Sequence, residues 1–283
     1  MKIGSEEHKQ RFCRQFIATH CRFDPATLVW PELDEAGLER LRNIPFWQEV
    51  LYTERRAGAI VNAYAQTIAD RLVREAIALQ GFEEARHAEL LRRMMRRYQI
   101  DAEERPVDAP VSADLRHAFT DFGYGECLDS FLGFGVFKIA RRARFLPEPL
   151  FDIFDMLMRE ETRHIVFFVN WAAWQQMTSG RIAGWLRGAN AIRYYCRAIG
   201  RLLGTIRRGR SDGKEFSATQ ASVFLDGFSL RSFVQECCDE HERRMAAFDP
   251  ELLRPCLLPK LAGIALTGLR LGHRARPLQG EQT

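Results

Sequence analysis

No stretch of this 283-residue chain comes near the roughly 18 consecutive apolar residues that a membrane-spanning helix needs. The best candidate, 257–271, is interrupted by Lys260 and Arg270. The first residues, Met-Lys-Ile-Gly-Ser-Glu-Glu, lack the apolar core of a signal peptide, and a cytoplasmic location is the expectation. The seven cysteines (13, 21, 127, 196, 237, 238, 256) contain no Cys-x-x-Cys. That excludes a zinc ribbon and a rubredoxin-type iron site and leaves reduced, mostly buried thiols. An excess of one sign of charge is lacking as well: 41 basic against 37 acidic residues leave a net charge of +4, too mild to argue for nucleic acid.

Against these absences stand two nearly identical stretches, Glu83-Glu84-Ala85-Arg86-His87 and Glu160-Glu161-Thr162-Arg163-His164. In each, a Glu precedes a His by three residues. On an α-helix that spacing sets carboxylate and imidazole on one face, one turn apart, able to grip the same ion. Acids fill 37 of 283 positions, so paired acids three and four residues before a given His arise by chance in about 2% of cases. Over seven His that is roughly a tenth of an occurrence, and the chain has two.

The rest of the chain supplies a helical setting. Residues 1–45 read as an N-terminal arm: Ser5 caps a helix to about His20, Asp24-Pro25 and Trp30-Pro31 disfavour helix, Asp34 caps a short helix to about Arg42, and Ile44-Pro45 breaks it. From Phe46 a helical stripe (Trp47, Val50 or Leu51, Ala57 or Gly58, Val61, Ala65, Ile68) carries one charge, Glu54. A carboxylate on such a stripe needs a partner or a metal. Glu49 shares a turn with Thr53 and Arg56 and is expected at solvent. Asp70 caps a second helix, to about Tyr98, that carries the first motif. Glu54 lies about 16 residues before that cap and Glu84 about 14 after it, so an antiparallel hairpin brings them level.

Residues 101–112 form a polar, proline-containing connection long enough for a crossover. A third helix, from about Ala113 to Arg144, sets Phe122, Glu126, Ser130, Gly133 and Phe137 along one face. A fourth, with Pro149 in its first turn, runs to about Met177 and carries the second motif. Glu126 falls opposite Glu161, with Asp129, one turn along, as the competing acid. The expectation is all-α: the arm, a four-helix bundle over 46–178, and a C-terminal helical extension over 179–283 packing on it. Four carboxylates and two imidazoles in a bundle core are hard ligands suited to two divalent iron ions, or manganese, and two +2 ions leave little net charge to bury.

Over roughly residues 46–178 the double Glu-Glu-x-Arg-His motif resembles that of the ferritin-like diiron-carboxylate superfamily. The resemblance implies a ferritin-like bundle in which Glu54, Glu84 and His87 hold one metal and Glu126, Glu161 and His164 the other, with Glu84 and Glu161 as bridges. In several relatives the acid before the ligand Glu, often Asp, reaches across to the opposite His. By that resemblance Glu83 orients His164 and Glu160 orients His87. Arg86 and Arg163 either neutralise those outer carboxylates or cover the bundle surface. The implied function is a diiron O2-dependent oxidoreductase (monooxygenase, oxidase or desaturase) acting on a small organic or carrier-linked substrate with an external electron donor. A ferroxidase or iron-storage relative is the alternative, and a partner-binding helical protein with a structural metal is the third. Length favours the enzyme, since about 105 residues follow the fourth helix and about 45 precede the first. The motifs are also similar to those of the p-aminobenzoate N-oxygenase group, which adds a third His one turn before the second motif, where this chain has Leu157.

From Arg181 to Arg208, Trp185, Ala189, Ile192, Cys196, Ile199, Leu203 and Ile206 keep a helical stripe, with Arg193, Arg197 and Arg201 on another face. Such a helix suits an acidic carrier protein, a phosphorylated substrate or an anionic membrane surface; a core helix with a solvated Arg face is the plainer alternative. Gly209 to Lys214 reads as a turn-rich linker, followed by a helix from about Ser217 to Ala247. Glu236, Asp239, Glu240 and His241 within it lack ligand spacing. Phe248-Asp249-Pro250 and the prolines at 255 and 259 precede a short helix and a polar tail from about Arg274. His20, His117 and His273 have no partner pattern and are expected to be structural. An oligomer is compatible with all of this.

Overall fold

Asp70 accepts hydrogen bonds from the backbone N–H groups of Leu72 and Val73, both at 3.0 Å, and so opens a helix five residues after the previous one ends. That junction makes the first hairpin in a computed structural model that describes residues 1–101, 104–107, 114–178, 180, 184–211 and 229–274, without the side chains of 184–187, 205–211 and 268–274. Among the described residues there are nine helices and no strand. They are α1 (Glu6–Ala18), α2 (Glu35–Arg42), α3 (Trp47–Ala65), α4 (Arg71–Arg97), α5 (Leu115–Arg142), α6 (Glu148–Thr178), α7 (Gly184–Ser211), α8 (Leu230–Met245) and α9 (Leu257–Arg274).

Helices α3 to α6 form the bundle. Gly58 of α3 faces Ala85 of α4, while Asn62 donates to the carbonyl of Gly81, so the numbering runs in opposite directions and the pair is antiparallel. The same holds for α5 and α6, where Phe119 packs edge-on to Trp171 and Phe137 to Phe151, and for α4 and α6, where Glu83 meets His164 and His87 meets Glu160. α1 lies across α4 and α6, α7 and α8 pack along α5, and α9 packs on α8.

The apolar interior is divided in two. One cluster holds Phe12, Tyr64, Phe119, Phe168 and Trp171; the other holds Trp47, Leu51, Leu91, Met94, Phe151 and Leu157. Glu84, His87, Glu126 and His164 are as buried as either cluster yet belong to neither.

Three boundaries differ from the sequence reading, one of them at α9, which starts at Leu257 with Pro259 in its first turn and runs 18 residues where a short helix after Pro259 was expected. α1 ends at Ala18, with Thr19 as its cap, so His20 is released from the helix. α7 continues through Gly209 and Arg210 to Ser211 where a linker was expected, because one helical Gly costs only about 1 kcal/mol and its neighbours are good helix formers. α8 begins at Leu230 under a Ser229 cap; the expected helical residues 217–228, the linker residues 212–214 and the tail from 275 lie outside the described residues.

Candidate metal centre

The two motifs occupy the middle of α4 and α6, where the three-residue spacing turns Glu84 and His87, and likewise Glu161 and His164, to the same side. α3 contributes Glu54 and α5 contributes Glu126. All six residues singled out from the sequence come together. Glu54, Glu84, His87 and Glu161 offer atoms within 4.8 Å of one another, and so do Glu84, Glu126 and His164, a buried set that could hold metal and is compatible with two ions.

Both imidazoles turn Nδ1 toward the carboxylates. His87 Nδ1 lies 3.4 Å from Glu54, 3.1 Å from Glu161 Oε1 and 4.0 Å from Glu84 Oε2. His164 Nδ1 lies 3.1 Å from Glu126, 3.1 Å from Glu84 Oε1 and 3.7 Å from Glu161 Oε2. Glu84 and Glu161 thus each place one oxygen on either side, while Glu54 and Glu126 serve one side each. Asp129, the competing acid, is exposed and takes no part. Glu49 lies at the surface, ion-paired to Arg105.

The opposite edge of each imidazole is tied across the bundle. His164 Nε2 donates to Glu83 at 2.8 Å and His87 Nε2 donates to Glu160 at 2.9 Å, the crossed arrangement that the family resemblance implied. These hydrogen bonds leave Nδ1 as the nitrogen free for a ligand role. The open question about the arginines has a definite answer: both are buried, Arg86 ion-paired to Glu160 and Arg163 to Glu83 at 2.8 Å. They reach further, to the arm. Arg86 donates to the carbonyl of Phe23 and stacks on its ring at 4.0 Å; Arg163 donates to Thr19 Oγ1 and to the carbonyl of Phe16.

Whether cations fit this pocket can be judged from its atoms. His87 Nδ1, His164 Nδ1 and Glu126 Oε1 are buried without a hydrogen-bond partner although acceptors and donors crowd around them, as expected of ligand atoms aimed at a shared ion. The charges agree. Burial pushes the Glu54 carboxyl up to about 8, against the attraction of the nearby His87, and raises Glu126 well above the carboxylate range with the charge of Glu84 adding to it. Burial disfavours charged His87 and His164 too, but the surrounding carboxylates outweigh it and hold both imidazoles well above their ordinary value. A metal-free cluster therefore gathers protons to balance its charge, and two divalent ions balance the same four carboxylates without them. Glu83 behaves differently: burial opposes its ionisation, yet the hydrogen bond from His164 and the charges of His164 and Arg163 bring it down to about 2.

Sequence reasoning missed two participants. His20, expected to be structural, donates to Glu83 at 2.5 Å; nothing in its neighbourhood signals this, because the contact spans 63 residues. His20, Glu83 and Glu160 lie close enough to share an ion, but Arg86 and Arg163 already neutralise both carboxylates, so a cation there would sit between two guanidinium groups. Gln80 is fully buried and donates to Glu126 at 3.2 Å and to Glu84 at 3.4 Å. Its position one turn before Glu84 on the ligand face was the available signal. The corresponding residue before Glu161 is Leu157, so the two halves are not equivalent.

Of the remaining histidines, His117 contacts the Tyr194 hydroxyl at 2.8 Å and His241, on α8, packs against Phe131 and Phe134 of α5, away from the cluster; the His273 side chain lies outside the described residues. Comparison with protein-family models, with curated proteins and with solved structures returned no match.

Proposed function

We propose that this chain is a ferritin-like diiron protein that uses O2 to oxidise a small organic or carrier-linked substrate with electrons from an external donor. The observation that carries the reading is the placement of Glu84 and Glu161, each with one oxygen beside His87 Nδ1 and the other beside His164 Nδ1. Two bridging carboxylates need that placement, and Glu54 and Glu126 then complete one position each. Iron is the ion of choice; manganese suits the same donors.

Bound there, two ferrous ions would supply the electrons that reduce O2 and the oxidising power turned on the substrate. Everything else falls to the chain. Glu160 and Glu83 hold the Nε2–H edges of His87 and His164, so neither imidazole can rotate away. The two apolar clusters that bracket the site keep bulk water out. Glu54 and Glu161 are the most open of the six side chains, at 14% and 13%, while both imidazoles are closed off. Substrate and O2 therefore approach from the His87 half, where Leu157 rather than a third polar ligand stands one turn before Glu161.

Anaerobic titration with Fe(II), followed by metal analysis, tests the site: saturation at two ions per chain is expected, as the two ligand groups require. The same sample, given O2 with ascorbate and a redox mediator, tests the chemistry. Uptake of O2 that rises when a candidate organic substrate is added, with an oxidised product formed, supports the oxidoreductase. Ferric iron that accumulates beyond two ions per chain on repeated Fe(II) addition without ascorbate supports a ferroxidase; saturation at one ion or none removes both readings.

A further inference from the structure

A helix packed on a bundle ordinarily turns its polar side outward. α7 does not. Its inward residues are Tyr194, Tyr195 and Ala198, both tyrosines resting against Tyr124 of α5 at ring distances of 5.1 Å. Facing away are Ile192, Cys196, Ile199 and Leu203, whose spacing of four, three and four residues draws a single stripe along the helix. Ile192 is 52% exposed, Ile199 40% and Leu203 50%. A side chain built on Gly188 or Gly200 would touch nothing, so this side of the helix is bare.

Charge singles out what could cover it. Residues 184–211 contain seven arginines and no acid. Asp121 of α5 pairs with Arg197 and Arg201, and Arg193 rests over the Tyr194 ring at 5.5 Å. α9 repeats the pattern: no acid over 257–274, an exposed Lys260, and Leu261 and Ile264 exposed at 51% and 70% while Leu257 and Leu258 pack inward.

We infer that α7 lies flat on an anionic lipid bilayer, its Ile192–Leu203 stripe at the acyl boundary and its arginines among the headgroups. Acid-free helices with an apolar stripe and a cationic flank satisfy an anionic interface on both counts at once. An acidic protein groove would satisfy the charges, but two separate helices presenting bare Ile and Leu favour one continuous apolar phase over a shaped pocket. The helix rests on the surface and does not cross it, since no helix among the described residues is long and apolar enough to span a membrane. This inference is independent of the chemistry at the metal cluster.

Co-sedimentation of the full chain with vesicles of phosphatidylglycerol and phosphatidylcholine, and with phosphatidylcholine alone, tests it. Binding to the anionic vesicles only, weakened by salt, is expected, with a loss of about tenfold or more in the Ile199→Ser/Leu203→Ser double variant and in Arg193→Glu. Unchanged helical content and thermal midpoint in these variants show that the fold is intact; should the double variant misfold, Arg193→Glu decides. Failure to bind anionic vesicles, equal binding to neutral ones, or full binding by the intact variants overturns the inference. Binding to polyglutamate but not to vesicles, lost in the double variant, also overturns it and points to an acidic protein.

Discussion

Glu83, on the first motif, accepts the Nε2–H of His164, on the second, at 2.8 Å, and Glu160 returns the same service to His87 at 2.9 Å. Each imidazole is therefore aimed by the other hairpin. Neither half can present a finished ligand set before the two have docked, so metal binding, as proposed, would be coupled to closure of the bundle.

Removing a crossed acid should loosen the ion on the opposite motif. Glu83→Ala is expected to weaken the ion at His164, and Glu160→Ala the ion at His87, each by roughly 10- to 100-fold. Competition titration with a chelator of known affinity measures this for both positions. Equal weakening of both ions by either variant would break the crossed assignment.

The residues proposed as bridges should behave unlike those that serve one side. His164→Ala is expected to keep about half the bound iron, whereas Glu84→Ala and Glu161→Ala, each removing an oxygen from both positions, lose more than half. Metal analysis after desalting reads the difference, and full iron loading of Glu84→Ala would dismiss the bridge.

His241 sets a pH dependence. Burial against Phe131 and Phe134 lowers its imidazole to about 4, only partly relieved by a hydrogen bond to the Pro255 backbone. The unfolded chain takes up this proton near pH 6.5, the folded chain near 4, so the contribution to stability is complete above 6.5 and lost as pH falls toward 4. The window is worth about 3 kcal/mol. Urea unfolding of His241→Phe at pH 7 and at pH 5 should show a smaller acid loss than the parent chain.

Two glycines on α5 should respond in opposite directions to Ala. A methyl group on Gly135 would fall 2.3 Å from Cys237 Sγ and 3.2 Å from the Cys237 backbone, so Gly135→Ala is expected to cost about 1–3 kcal/mol by prising α8 from α5. At Gly133 it would meet nothing, and helix propensity alone should stabilise by up to about 1 kcal/mol. Thermal midpoints of the two variants provide the check.

Much of this was legible in the residues themselves. Caps at Ser5, Asp34 and Asp70 and the proline breaks marked most helix limits, because capping and steric clash act within a few residues. The six ligand candidates were readable because helical spacing converts sequence offset into direction, whereas the crossed roles of Glu83 and Glu160 came from the family resemblance. Register favoured Glu126 but left Asp129 as a competitor: the two lie one turn apart on α5, and only the rotation of that helix against α4 and α6 turns Glu126 inward and leaves Asp129 exposed.

What spacing along one helix determines, the sequence determined: four helices and which face of each bears acid and imidazole. What depends on groups distant in the chain was decided by the tertiary structure. Arg86 and Arg163 became buried partners of the outer carboxylates, His20 joined Glu83 across 63 residues, and α7 came to rest with its apolar stripe outward. The reason is that local spacing sets direction within a helix, while burial and pairing follow from how helices rotate against one another, and that rotation is fixed by packing summed over the whole core.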